Sequence, residues 1–233
     1  MFALAFLLAA APASASGASP PGYAMVRCIK VSKGDEYRDY MLEVTAKTMQ
    51  VRANEGDIAG WVFARTVMPA GEASTCDFMQ INVYKTFPPE RTPIDPYLVK
   101  AGLKVTRAEW YARLGAMSKL ASQELWRNAA DPLGAIEKGH YLRVDYFKAP
   151  PGKAAAGKKA AEAAIKSGQL KGWQAEEIMI PAGSNLGYNA RTLSAFPTWE
   201  SLAQATKLVD AMPRTHELVK SMLFTVVEVV RPK

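Results

Sequence analysis

The sequence predicts an α+β fold built from two tandem ferredoxin-like (split βαβ) repeats with antiparallel sheets. Three observations carry this. Gly60-Trp61 recurs 112 positions later as Gly172-Trp173, and Pro69-Ala70-Gly71 recurs at the same spacing as Pro181-Ala182-Gly183. Apolar periodicity gives strand, helix, strand, strand, helix in each half. The offset between the halves also changes where a duplicated chain would let it change. It is 116 from Val26-Arg27 to Leu142-Arg143, 112 at Gly-Trp, and 109 from Phe87-Pro88 to Phe196-Pro197. The first drop falls in a helix and removes about one turn. The second falls in a turn, where loops absorb deletions.

The elements follow in order. Met25–Val31 alternates and is β-branched, as a strand requires. Glu36 to Ala53 places Tyr37, Tyr40, Met41, Val44, Thr48 and Val51 at helical spacing, with Asp35 as N-cap. Ile58–Met68 and Cys76–Phe87 read as strands. Pro88, Pro89, Pro93 and Pro96 predict a loop. Thr106 and Glu109 form a capping box, and the helix they open is expected to run to Asn128, with Trp110, Leu114, Met117, Ala121 and Leu125 inward. The first half then lacks a clear closing strand, unless one hides near Pro96–Val105.

In the second half His140–Lys148 is a strand and Lys153–Ser167 an Ala- and Lys-rich helix. Trp173–Ile180 and Tyr188–Phe196 are strands. Thr198 caps a helix, and a further helical turn follows Pro213. Leu223–Val230 closes the half as a strand.

The chain has 233 residues, 49% hydrophobic and 22% charged, enough apolar content for a sizeable core. The apolar run Met1–Ala11 is shorter than the about 20 residues that span a bilayer. Ala13 and Ala15 after it fit a signal-peptidase site, although no Lys or Arg precedes the run. Residues 1–15 are thus expected to be a signal peptide and 16–22 a flexible leader. The repeats are expected at 23–135 and 136–233, in a periplasmic or secreted protein. All of the net charge of +7 lies beyond residue 22. Outside the cytoplasm such a surface favours anionic partners.

Lys153, Lys158, Lys159, Lys166 and Lys171 make one helix region basic. With Ile165 its one large apolar residue, it reads as a solvated face. The expectation is no stable membrane insertion and no nucleic-acid partner. Cys28 and Cys76 pull two ways. An exported chain favours a disulfide, yet strand alternation puts the two on opposite faces. The pairing stays open.

Phe196-Pro197-Thr198-Trp199-Glu200-Ser201-Leu202 after a strand, with the Gly-Trp strand before it, resembles the dimeric α+β barrel superfamily over residues 24–231. That group includes antibiotic-biosynthesis monooxygenases, NIPSNAP-like proteins and duplicated relatives of the chlorite dismutase kind. The resemblance implies two sheets closing into a barrel, here an intramolecular α+β barrel. It also implies that a histidine, His140 or His216, could bind haem iron axially.

Alternation assigns faces. Leu142, Val144 and Tyr146 are expected to meet the helices. Arg27, Gln80, Asn82, Arg143, Asp145, Asn189 and Arg191 fall on the other face. In an open sheet they meet water; in a closed one they line a cavity and require partners. Three arginines with Asn and Gln suit a carboxylate or other small anion. No metal-ligand spacing, serine-nucleophile motif, phosphate loop or dinucleotide fingerprint is present, so the sequence assigns no cofactor. Three readings of role follow. One is an exported protein holding a small anionic ligand between the repeats. The second is a monooxygenase-like or haem-dependent enzyme. The third is a homo-oligomerising structural module.

Overall fold

A computed structural model describes residues 22–69, 74–88, 92–181, 187–204 and 216–233. The expected signal peptide, nearly all of the leader, and Ala-Gly of both Pro-Ala-Gly turns lie outside these residues.

The chain runs β1 (Tyr23–Val31), α1 (Gly34–Tyr40), a π-helical segment (Met41–Thr45), α2 (Ala46–Asn54), β2 (Gly60–Met68) and β3 (Phe78–Tyr84). It continues with α3 (Asp95–Lys100), α4 (Arg107–Met117), β4 (Ser118–Asn128) and the short β5 (Leu133–Gly134). Then come β6 (Tyr141–Lys148), α5 (Lys158–Lys166), β7 (Gly172–Ile180), β8 (Ala190–Phe196), α6 (Trp199–Ala203) and β9 (Glu217–Val230). The strands lie in the order β4-β1-β3-β2-β9-β6-β8-β7, and β4 pairs back onto β7. Every pairing is antiparallel, so eight strands close into a barrel that leaves few open edges. β5 adds to the edge of β7 beside β4.

Three expectations about elements are corrected. The helix opened by Thr106 stops at Met117, and Ser118–Asn128 is the closing strand of the first half. Trp110, Leu114 and Met117 do face inward as helical spacing required. Beyond them Glu124, Leu125 and Trp126 are all buried in succession. Consecutive burial fits a strand covered on both faces. Pairing with both β1 and β7 outweighs local helix propensity, which is a weak prior. The Pro-rich stretch contains α3, with Pro96 in its first turn, where its missing N–H is harmless. The final strand starts at Glu217, because Glu217–Ser221 pairs with β6, so this stretch before Leu223 is strand and not helix; Pro213 and the expected break there lie outside the described residues.

The capping box holds. Thr106 Oγ1 accepts from Glu109 N at 3.3 Å, and Thr106 N donates to Glu109 Oε2 at 2.8 Å. Thr106→Ala should lower stability by about 1 kcal/mol, read as a fall in the urea midpoint at unchanged slope.

Most of the lumen is apolar and closely packed, with a buried Glu176–Arg191 pair and Glu124 set among the apolar side chains. Ala24, Ala64 and Ala195 leave room for Trp126, Phe224 and Met79. Leu142, Val144 and Tyr146 belong to this cluster, so they face the lumen and not the helices. The outer face of the first half carries Trp61, Phe63, Phe78 and Ile29 beneath α1, α2 and α4. In the second half, α5 presents Ala161 and Ala164 and packs on Trp173 and Phe196. The two Gly-Trp pairs meet at one barrel end around a mostly apolar space of about 280 Å³. A Cβ on Gly172 would sit 2.9 Å from the Ala135 carbonyl oxygen, so the approach requires glycine there.

Cys28 and Cys76 form a disulfide, with Cα atoms 5.1 Å apart. Cys76 precedes β3, so strand parity does not extend to it.

Candidate functional site

The largest described cavity, about 540 Å³, lies outside the barrel, between the outer face of β1, β3 and β4 and the helices of the first half. Alternation in β1 and β3 sends Met25, Arg27, Gln80, Asn82 and Tyr84 into it. The amphipathic stripe of the first helix supplies Tyr37, Met41, Thr45 and Met49. Met41 and Thr45 sit on the π-helical segment, a local widening that recurs at functional sites. α4 contributes Arg107, Trp110 and Tyr111.

The polar groups are individually placed. Arg27 is half-buried; its Nε donates to Gln123 Oε1 at 2.7 Å and one terminal nitrogen contacts Met25 Sδ at 3.1 Å. Burial lowers its pKa, yet a guanidinium stays charged. Gln80 Nε2 donates to the Tyr37 hydroxyl at 2.7 Å, and burial raises the pKa of that phenol. Asn82 is 2% exposed. Its Nδ2 donates to the Tyr84 hydroxyl at 3.3 Å, and its Oδ1 has no hydrogen-bond partner. Trp110 Nε1 donates to Thr45 Oγ1 at 3.2 Å. Arg52 is held by Asp57 at 2.6 Å. No Asp or Glu lines the cavity among the described residues. The wall therefore offers positive charge and an orphaned acceptor against aromatic rings and soft methionines.

Of the residues picked from sequence, Arg27, Gln80 and Asn82 come together here, on the helix-covered face instead of the opposite one. The other four lie elsewhere. Arg143 Nε meets Asp145 at 2.8 Å on the outer face of β6, where Ser221 also donates to Asp145. Asn189 staples a loop: its Oδ1 accepts from Ala149 N at 2.7 Å and its Nδ2 donates to Ala149 O at 2.8 Å. Arg191 points into the lumen and pairs with Glu176. The register shows why it changes face. Trp61 opposes Asn82, as Trp173 opposes Ser194, so Asn82 corresponds to Ser194. Equating Asn82 with Arg191 through the Phe-Pro pairs is three residues out, and an odd slip exchanges strand faces.

Tyr37, Met41 and Trp110 were legible in the sequence as buried helical positions, though not as cavity wall; Thr45 was not picked out. Neither histidine lines the cavity. His140 Nδ1 accepts from Glu137 N at 3.1 Å, and burial lowers its pKa. His216 packs against Phe147 and shares a hydrogen bond with Lys153 O at 2.9 Å. Among the described residues no cluster of His, Cys, Asp or Glu could hold a metal ion. Among the described residues no helix is long and apolar enough to cross a membrane.

No protein-family model matches the chain, and no curated protein matches it. Solved structures do. A monooxygenase candidate from Lactobacillus acidophilus NCFM superposes with a TM-score of 0.53 at 9% identity, covering 91% of this chain and 96% of that one. A heme-binding protein from Thermus thermophilus gives 0.52 at 11% identity, covering 89% and 92%. The shared fold is a closed antiparallel α+β barrel. A dye-decolorizing peroxidase from Bacteroides thetaiotaomicron VPI-5482 gives 0.51 at 9% identity, covering 88% and 92%. At such identities the likeness is one of fold alone. Here a single α+β barrel chain supplies all eight strands.

Proposed function

We propose that the chain binds a planar, largely apolar molecule carrying an acidic oxygen, and that its cavity on the first half is the binding site. The carrying observation is the wall itself. Arg27 and the unpartnered Asn82 Oδ1 share one side of a cavity lined by Tyr37, Trp110 and methionines, without a carboxylate. Arg27 suits the anionic oxygen; Asn82 Oδ1 suits a hydroxyl or N–H donor on the same ligand. Monooxygenation of that ligand is the enzymatic form of this reading, favoured by the monooxygenase candidate among the fold neighbours. Haem fits the donor set less well. The lining residues supply no imidazole or thiolate as axial ligand, and no step is derived through that group.

Arg27→Gln should weaken a planar anionic probe such as 1-hydroxy-2-naphthoate by about tenfold or more, since a hydrogen bond to a charged group contributes roughly 1.5–3 kcal/mol. Fluorescence titration measures it; equal affinity in wild type and variant would remove Arg27 from the site. Protein-dependent oxygen uptake with a hydroquinone probe separates oxidation from binding.

The same reading extends to architecture and location. Both halves run β-α-β-β-α-β among their principal elements, and their strands lie in matching orders, β4-β1-β3-β2 and β9-β6-β8-β7. This supports ferredoxin-like repeats at about the expected 23–135 and 136–233. The disulfide supports an exported protein, because such bonds persist in oxidising compartments.

A further inference from the structure

A second cavity, about 250 Å³, opens inside the barrel mouth, on the opposite side of β1 and β4 from the first. Glu124, Tyr146, Tyr188, Lys220, Met222 and Phe224 line it beside the disulfide. It has room for roughly eight water volumes, a size for a small molecule. Lys220 is the unusual member. Its ammonium lies 4.3 Å from the ring centre of Tyr146 and 4.9 Å from that of Tyr188. It makes no hydrogen bond or ion pair among the described residues. The charged groups nearest the mouth come from three other strands. β4 brings Glu124, whose Oε1 accepts from the Tyr188 hydroxyl at 2.6 Å and whose Oε2 accepts from Trp126 Nε1 at 3.0 Å. β8 brings Arg191, 4.4 Å from the Trp126 ring centre, and β7 brings Glu176 to pair with it.

We propose that Lys220 is a nucleophilic amine that forms an imine with a small aldehyde or ketone held in the barrel-mouth cavity. The free amine attacks the carbonyl carbon and a C–N bond forms; the carbonyl oxygen takes one proton from that nitrogen and a second from solvent, and leaves as water. The product is a protonated imine. The surroundings fit each stage. Burial lowers the Lys220 pKa, and the neighbouring Arg191 cation lowers it further against the opposing Glu124, which enlarges the free-amine fraction. The Tyr146 and Tyr188 ring faces accommodate a cation, and the protonated imine is as cationic as the ammonium it replaces. The hydrogen-bonded Tyr188–Glu124 pair can pass the proton that the departing oxygen needs. The cavity, the amine and the proton path thus share one end of the lumen, separate from the first site.

The test is reductive trapping on the intact folded protein. Wild type is incubated at pH 7 with sodium cyanoborohydride and either propanal or glyoxylate, then digested, and adducts are quantified lysine by lysine. A lowered pKa gives more free amine at a given pH, so Lys220 should label several-fold faster than Lys158 or Lys159 on α5. Faster propanal labelling assigns a neutral carbonyl substrate; faster glyoxylate labelling assigns a keto acid. Tyr188→Phe, which keeps the ring face and removes the hydroxyl of the proton path, should slow Lys220 labelling and leave α5 unchanged, with folding checked by near-UV circular dichroism. Labelling no faster than on α5, or faster only in urea, would overturn the proposal and mark Lys220 as a buried structural lysine.

Discussion

Glu176→Ala is expected to destabilise the protein by about 3–5 kcal/mol, the range for breaking a buried ion pair by removing one partner. Glu176 and Arg191 are both fully buried in the lumen. Arg191 Nε and one terminal nitrogen reach the same Glu176 oxygen, and Gln174 donates to the other. Burial pulls the Glu176 carboxyl pKa up, and Arg191 pulls it back down. Removing Glu176 leaves a guanidinium with no carboxylate partner among the described residues, and its Nη1 already lacks a hydrogen bond. The Trp126 face at 4.4 Å offsets only part of that loss. Equilibrium urea unfolding measures the effect. The double variant Glu176→Leu with Arg191→Met should recover most of it, because exchanging a whole buried pair for apolar groups is often neutral. If Glu176→Ala alone costs under about 1 kcal/mol, water is reaching Arg191 and the lumen is wetter than its packing implies.

The pair also shows how far the sequence could be read. Strand positions and the antiparallel α+β arrangement follow from alternation, which is a local property. Barrel closure does not, because β4 declares itself only through partners on both sides. Ser118–Asn128 has helical spacing at Ala121 and Leu125, and nothing local forbids a longer helix. The same limit governed the faces. Alternation correctly grouped Arg27 with Gln80 and Asn82, since β1 and β3 pair through those positions. It could not say which side the helices cover, because both sides of a closed, helix-wrapped sheet are apolar. Leu142 and Val144 looked like a helix-facing row for that reason. Arg191 went astray through an alignment slip of three. Asn82 was read as polar, while its orphaned oxygen became visible only once neighbours were in place.

Replacing Cys28 and Cys76 together by serine is expected to cost about 4 kcal/mol, from the loop-entropy relation applied to a separation of 48 residues. That is a large share of the roughly 5–15 kcal/mol by which domains are stable. The native structure around the bond should nevertheless survive its loss. Asp77 independently ties the segment down: its carboxylate meets Lys30 Nζ at 2.8 Å and accepts from Val31 N at 2.9 Å, and Asp77 N donates to Ile29 O at 2.8 Å. These contacts keep the strand entry in place when the covalent link is gone. The cost therefore falls on the unfolded chain, which gains freedom. Two measurements separate this from a local structural role. Near-UV circular dichroism and binding of the naphthoate probe should match wild type at 25 °C. The urea midpoint should fall and the slope should rise, because an uncrosslinked chain exposes more surface when it unfolds. A normal midpoint with altered probe binding would instead place the disulfide's role in shaping the sheet beneath the first cavity, where β1 carries Arg27 one residue before Cys28.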